Sequence, residues 1–295
     1  MEFLLLRITK WVQEYHCDFY NASIYQENKY DHPYLSVLYV ILGVTLLIMY
    51  IPCVYAMVSK KMLTESCYKI MFCLAVYDIV NLVLSGIVTG IFGLFKIGYC
   101  HSPRLFYLLG NLAEFSWFGQ VMSAILLALN RCFFLRNVHF SNMLFGGHKT
   151  YIWMAVFPFA WSICGLTLCR PVISSLYSMV WLFNPHDGYR PDSRGIYVSP
   201  YHYANNIIAA VALPGIYVVF LVLYCLKTNQ WAFKSANNMQ LSVFLQSFFI
   251  SLFTTLLATL YIVIQYVPLS KEWFYLAQII WINYQQDRID GCTVC

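Results

Sequence analysis

LSVLYVILGVTLLIMYIPCVYAMV, residues 35–58, runs for 24 positions without one charged side chain. A helix needs about 20 mainly apolar residues to cover a hydrocarbon layer roughly 30 Å thick, so this stretch is long enough to cross a bilayer. Five further runs have the same character: Cys67–Phe95, Leu105–Leu135, Tyr151–Cys169, Ala204–Leu226 and Leu241–Val267. A seventh, Trp273–Tyr284, stops short at Gln285, Gln286, Asp287 and Arg288. In lipid only helices and closed barrels satisfy the backbone, and runs of this length specify helices. The expectation is an all-α membrane protein, a seven-transmembrane helix bundle with a shortened or incomplete seventh helix.

Composition points the same way. Charged residues are 11% and hydrophobic residues 60%, where soluble domains carry about 25% charged residues. The mean hydropathy is +0.62. Aromatic residues at 18% suit interfacial belts of Tyr and Trp and a ring-lined cavity. The +5 formal charge is spread over the connections, which argues against a nucleic-acid partner. The Phe3–Leu6 patch is too short for a signal peptide and meets Arg7 at once. Lys and Arg nearly balance across the two sides of the bundle, so the positive-inside rule barely orients it. The sequon Asn21-Ala22-Ser23, a possible glycosylation site at Asn21, tips the choice to an outside N-terminus. Residues 1–34 then form an extracellular tail, 35–284 the membrane bundle, and 285–295 a short polar C-terminal tail. Cys100 has two possible disulfide partners on that side, Cys17 and Cys169, and sequence alone leaves both open.

The connections carry their own signals. Ser102-Pro103 reads as an N-cap followed by proline at the first helical position. The loop Arg170–Tyr203, rich in Pro, Gly and aromatic residues, is able to fold over the bundle mouth. Pro158 and Pro214 fall inside spans and are expected to bend them. No internal repeat of the transporter type is visible.

Three polar groups within the spans bear on function. Asp78 sits near the middle of the second span, where a carboxylate must face the bundle interior and find a cation, water or polar neighbours. Asn81 and Ser85 share its helical face, giving a candidate central polar or ion site; the plainer reading is a neutral, hydrogen-bonded interior acid. Glu114 lies in the outer half of the third span, with Asn111, Trp117 and Phe118 one turn away and Gln120 deeper. A carboxylate among rings can receive a cationic or hydrogen-bonding ligand, or can simply pair with a Tyr hydroxyl. Arg131, after Asn130, closes the third span, either snorkelling to the interface or latching the third helix to the sixth. Sequence motifs for nucleophilic or metal-dependent catalysis are missing, so neither an enzyme nor a metal or cofactor site is expected. Cys292-Thr293-Val294-Cys295 fits a prenylation box only formally.

Leu74-Ala75-Val76-Tyr77-Asp78 resembles the second-helix pattern of rhodopsin-like receptors, where the Asp is a sodium-linked activation residue. Asn130-Arg131-Cys132 stands where that superfamily has Asp-Arg-Tyr, and Pro214 where it has its fifth-helix proline. A second set of runs is more specific: Tyr50-Ile51-Pro52-Cys53, Cys67-Tyr68-Lys69-Ile70-Met71-Phe72, Leu129-Asn130-Arg131-Cys132, Leu144-Phe145-Gly146-Gly147-His148-Lys149-Thr150-Tyr151-Ile152-Trp153, Asn205-Asn206 and Gln246-Ser247-Phe248. In this order the chain resembles the nematode serpentine chemoreceptor class T family over about residues 35–282. The resemblance implies a seven-helix receptor of rhodopsin-like type in the plasma or ciliary membrane of sensory cells. It also implies a small-molecule ligand, a heterotrimeric G protein facing Asn130 and Arg131, and Asp78 in the central polar site. The pattern has departures: Asn130 replaces the acidic partner of Arg131, the sixth span lacks the tryptophan-proline run, and polar residues replace the inner half of the seventh helix. This last departure motivates a second expectation, a truncated, non-signalling isoform or dimerising partner of intact receptors. A channel or transporter is a third, and it lacks the polar file that such a protein needs.

Overall fold

The computed structural model describes residues 15–18, 30–59, 62–190, 192, 195–228, 237–267 and 270–284. Eight helices make up most of them. Helix α1 runs Pro33–Ser59, α2 Ser66–Leu94, α3 Pro103–Arg136 and α4 Val138–Phe145. Helix α5 covers Lys149–Leu168, α6 Pro200–Thr228, α7 Asn237–Tyr266 and α8 Lys271–Tyr284. Among the described residues five helices are long and apolar enough to cross a membrane: α1, α2, α3, α5 and α6. A sixth, α7, runs 30 residues and holds the apolar stretch Ser251–Ile264. The seventh of the bundle, α8, has 14 residues, about 21 Å at 1.5 Å per residue and short of a hydrocarbon layer. The small α4 links α3 to α5.

Helix starts follow local chemistry. Pro33, Pro103 and Pro200 open α1, α3 and α6, where a missing backbone N–H is no loss. Asn137 caps α4, its Oδ1 accepting from the backbone of His139 at 2.9 Å and Phe140 at 3.2 Å. Ser102 holds the N-cap position of α3 as its spacing predicts, but its side chain makes no capping bond, so Pro103 sets that start. Pro158 lies in a π-helical turn of α5, Ala155–Phe159. A second π turn, Val83–Val88, interrupts α2. The wider turn leaves the Leu84 carbonyl to Thr89 Oγ1 at 2.8 Å.

Packing places α3 on the bundle axis: 72% of its apolar window is buried, against 28% for α1 and 17% for α5. Helices α1 and α2 approach through bare glycines. A Cβ added to Gly86 would lie 2.8 Å from the Gly43 Cα, closer than real atoms come. Small residues that let backbones meet are the usual basis of tight packing in lipid, where no hydrophobic drive separates helix from acyl chain.

The loop between α5 and α6 folds inward over the bundle. Strands β1 (Ile173–Ser174) and β2 (Trp181–Leu182) pair antiparallel, Ile173 opposite Leu182. The loop's own side chains Ile173, Leu176, Val180 and Trp181 are buried. Asp187 accepts from the Ser175 and Ser178 hydroxyls, each at 2.6 Å, and its burial raises the carboxyl pKa even so. Beside this lid Cys17 is joined to Cys100. Of the two partners left open for Cys100, Cys17 is the one in this bridge, and Cys169 is buried. The sequon at Asn21 and the tail 285–295 lie outside the described residues.

Candidate functional site

Two polar sites lie along α3, one under the lid and one deeper. Under the lid, Glu114 is 1% exposed, and its Oε2 lies 3.1 Å from His202 Nδ1 on α6. Its other oxygen, Oε1, is buried without a hydrogen-bond partner among the described residues. The pair borders a narrow cavity of about 20 Å³, room for about one water. Its walls come from every layer nearby: Trp117 from α3, Trp181 from β2, Tyr261 from α7 and Trp281 from α8. Two of its indoles are hydrogen-bonded in place, whereas Trp281 Nε1 and the Tyr261 hydroxyl are buried without hydrogen-bond partners among the described residues. Trp117 Nε1 donates to Asn206 Oδ1 at 2.8 Å and Trp181 Nε1 to Thr89 Oγ1 at 2.8 Å. Tyr261 and Trp281 meet edge to face at 5.7 Å. Asn205 braces the next layer, accepting from Trp161 Nε1 at 2.9 Å.

Deeper, Asp78 is 1% exposed. Its Oδ2 accepts from the Tyr50 hydroxyl at 3.0 Å and its Oδ1 from Gln120 Nε2 at 2.5 Å. Asn81 Nδ2 donates to Gln120 Oε1 at 2.8 Å. Gln278 Nε2 on α8 reaches the Ser85 carbonyl at 2.7 Å, inside the π turn of α2. One cluster therefore ties α1, α2, α3 and α8 together. The Ser85 hydroxyl, Asn81 Oδ1 and Gln278 Oε1 remain buried without hydrogen bonds among the described residues. Buried polar atoms of this kind are the groups that an ordered water or a cation satisfies.

The residues singled out from sequence divide between these places. Glu114 and Trp117 line the cavity. Gln120, grouped with them from its spacing, instead belongs to the Asp78 cluster, because its side chain points to α2. Asn111 is half-buried and bonds back to the Tyr107 carbonyl of its own helix at 2.9 Å, so it is not part of the cavity wall. Phe118 stacks on Trp161 at 6.0 Å. Asp78, Asn81 and Ser85 come together as their shared helical face requires. His202, Trp181, Tyr261, Gln278 and Tyr50 were not singled out, since each reaches the site from a distant part of the chain.

The chain matches the family described as the serpentine type 7TM GPCR chemoreceptor Srt over residues 1–287. It belongs to that family. A relative is serpentine receptor class T-55 of Caenorhabditis elegans, 23% identical over 282 residues, covering 94% of this chain and 76% of that protein. The family is one of membrane receptors rather than enzymes, which agrees with a multi-pass helical bundle built around two buried polar sites.

At the opposite end of α3 from the lid, Asn130 takes a role that its acidic counterpart in rhodopsin-like receptors does not suggest. Its Nδ2 donates to Ser66 Oγ at 3.1 Å, pinning α3 to the first turn of α2. Arg131 is 7% exposed, with Nη2 3.9 Å from Met71 Sδ. The other half of a latch to α7 falls on side chains outside those described. Lys69 donates to the Gly147 carbonyl at 2.7 Å and lies 5.0 Å from the Tyr151 ring centre, fixing the α4–α5 connection against α2. The runs Cys67–Phe72 and Leu144–Trp153, separate in the sequence, meet here.

Proposed function

We propose that this chain is a chemosensory receptor whose small extracellular ligand enters the cavity at Glu114 and Trp117, beneath the Arg170–Tyr203 lid, and whose Arg131 end activates a heterotrimeric G protein. The observation that carries this reading is a buried carboxylate oxygen, Glu114 Oε1, without a partner among the described residues and set in an aromatic cavity. An unpaired acceptor in a dry wall is costly unless something binds there. The Cys17–Cys100 bridge on the lid side favours placing that side and the N-terminus outside the cell, where disulfides persist. The membrane is then the plasma or ciliary membrane of a sensory cell.

In this reading Asp78, Asn81, Gln120 and Ser85 form the switch between cavity and G-protein face, able to take an ion or water in one bundle arrangement and not in another. A ligand shifts that balance only by the difference between its affinities for the two arrangements. Reconstituted chain and G protein, screened with small-molecule panels, should show ligand-evoked nucleotide exchange that Trp117→Ala abolishes. Silence from folded, surface-exposed chain across broad panels would overturn the proposal.

A further inference from the structure

We infer that a groove between α3 and α6, at the end of the bundle opposite the lid, binds one anionic phospholipid, its phosphate on Arg136 and an acyl chain along the groove. Both helices run away from the lid, so their last turns share the far side of the bundle. There they part around a groove of about 360 Å³. Leu129, Cys132, Phe133 and Arg136, at positions i, i+3, i+4 and i+7, form its α3 wall. The α6 wall runs from Ala212 to Leu223. That length of helix is about 16 Å, the depth of one leaflet in a hydrocarbon layer roughly 30 Å thick. Gly215 leaves the α6 wall bare, since an added Cβ would meet no heavy atom within 4 Å. Cys132 Sγ donates to the Ile216 carbonyl at 3.7 Å and joins the two walls.

Charge selects the head group. Arg136, exposed at the far end of the groove, is the one charged side chain among the described lining residues. No acid occurs in the sequence between Glu114 and Asp187, or between Asp192 and Glu272. The stretches that bear both walls and the connections beyond them therefore offer Arg136 no carboxylate. Among the described residues one acid, Glu65, lies at that end of the bundle; it precedes Ser66, which Asn130 holds on the α2 side of α3. A guanidinium presents a planar fork that matches two phosphate oxygens, and its stem can lie along apolar surface. A neutral hydrocarbon would use the groove and leave the guanidinium to water. A free anion would use the guanidinium and leave the apolar walls bare. A phospholipid of net negative charge answers both, and basic pockets between membrane helices are where such head groups settle. Neither a ligand at Glu114 nor a G protein is needed for this binding.

Full chain in phosphatidylcholine nanodiscs, doped with either a phosphatidylglycerol or a phosphatidylcholine carrying a diazirine on one acyl chain, reads the site by photolabelling and peptide mapping. The phosphatidylglycerol probe should label residues 129–136 and 212–223 about fivefold more than the phosphatidylcholine probe, the preference that one basic residue near an anionic surface gives. The exposed face of α1 around Ile41 and Ile48 should show no such excess. Arg136→Gln, at an exposed position, should bring the ratio near one while phosphatidylcholine labelling persists. Gly215→Leu, which places its side chain in open space, should reduce labelling of the groove by both probes. Equal labelling by the two probes, an excess spread evenly over all helices, or an excess that survives Arg136→Gln would overturn the inference. Groove peptides that neither probe labels in the parent chain would overturn it too, the result expected if a second copy of the chain covers this face.

Discussion

Replacing Gln120 by leucine tests the central cluster with little change of volume. The amide of Gln120 donates to Asp78 Oδ1 at 2.5 Å and accepts from Asn81 Nδ2 at 2.8 Å. Leucine removes both bonds, one from a carboxyl oxygen and one from an amide N–H, while Asp78 keeps Tyr50 on its other oxygen. In a soluble core each buried orphan costs about 1–3 kcal/mol, or roughly 2–6 for the pair. Hydrogen bonds between membrane helices average nearer ~0.6 kcal/mol, with ~1.7 at the top of the measured range, because the unfolded chain in lipid also finds partners. The short contact to a carboxyl places this pair at the upper membrane figure, about 2–3 kcal/mol in all. Unfolding free energies measured in bicelles by steric trapping would read the loss directly. The cycle Gln120→Leu, Asp78→Leu and the double variant should return a coupling of about 1–2 kcal/mol, since two apolar replacements together leave no orphan at that contact. A Gln120→Leu chain within ~0.5 kcal/mol of the parent, or a coupling near zero, would show that the cluster does not hold α3 to α2.

Four further outcomes follow from other contacts. Cys100→Ser opens a link between residues 83 positions apart and should lower stability by up to about 4 kcal/mol, with a free thiol appearing at Cys17 on labelling. Gly110→Ala puts a methyl group into the Val172 carbonyl oxygen, so β1 must move; about 1–3 kcal/mol is lost, and amide exchange across residues 171–182 accelerates while that across α2 does not. Burial raises the Asp187 pKa above its ordinary value of 3.8, so the folded lid holds a proton that the unfolded chain has already released. That contribution is complete below this value and disappears as pH rises through the raised pKa; lid protection from exchange should fall across that window, and Asp187→Asn should flatten the fall. Lys69→Met removes the ammonium that holds the Gly147 carbonyl at 2.7 Å, loosening residues 144–151 by about 1.5–3 kcal/mol in local exchange while leaving lid protection across residues 171–182 unaltered.

Much of the bundle was legible because lipid makes a simple demand: a long, mainly apolar run has to be a helix. The runs Leu35–Val58 and Leu105–Leu135 differ from α1 and α3 by only a residue or two at each end. The same demand made Asp78 and Glu114 visible, since a carboxylate inside such a run requires an interior position. Their partners were not legible. Tyr50 lies 28 residues from Asp78, His202 lies 88 from Glu114, and Gln278 lies 193 from Ser85. Sequence periodicity reports which residues share a face, not which face of another helix meets it. Gln120 shows the limit, because its spacing from Glu114 fits either site and only the neighbouring α2 decides. The π turn at Val83–Val88 was hidden for a related reason. Its residues read as ordinary apolar helix, and the wider turn goes with one local bond, Thr89 to the Leu84 carbonyl, and one tertiary bond, Gln278 to the Ser85 carbonyl.

The placement of both polar sites on one helix carries a mechanical consequence. Glu114, Gln120 and Arg131 are separated by 6 and 11 residues of unbroken α3, about 9 Å and 16 Å along the axis. A continuous helix transmits rotation and axial shift with little loss, so on the proposed reading a ligand that tilted Glu114 would also move Gln120 against Asp78. The break in α2 lies beside that contact: the π turn can change hydrogen-bond register at Ser85 without unwinding the helix, and Gln278 ties α8 to the same turn. A change of backbone bonding at that turn would give the cluster a second discrete arrangement on the proposed reading, which is what coupling between distant sites requires in place of a continuous path of contacts. On this view the Asn130–Ser66 bond holds the far end of α3 in one of the two arrangements. Asn130→Ala should therefore raise ligand-independent nucleotide exchange, whereas Asn130→Asp, which can still accept from the Ser66 hydroxyl, should not; equal basal exchange in the parent and the alanine variant would refute the link.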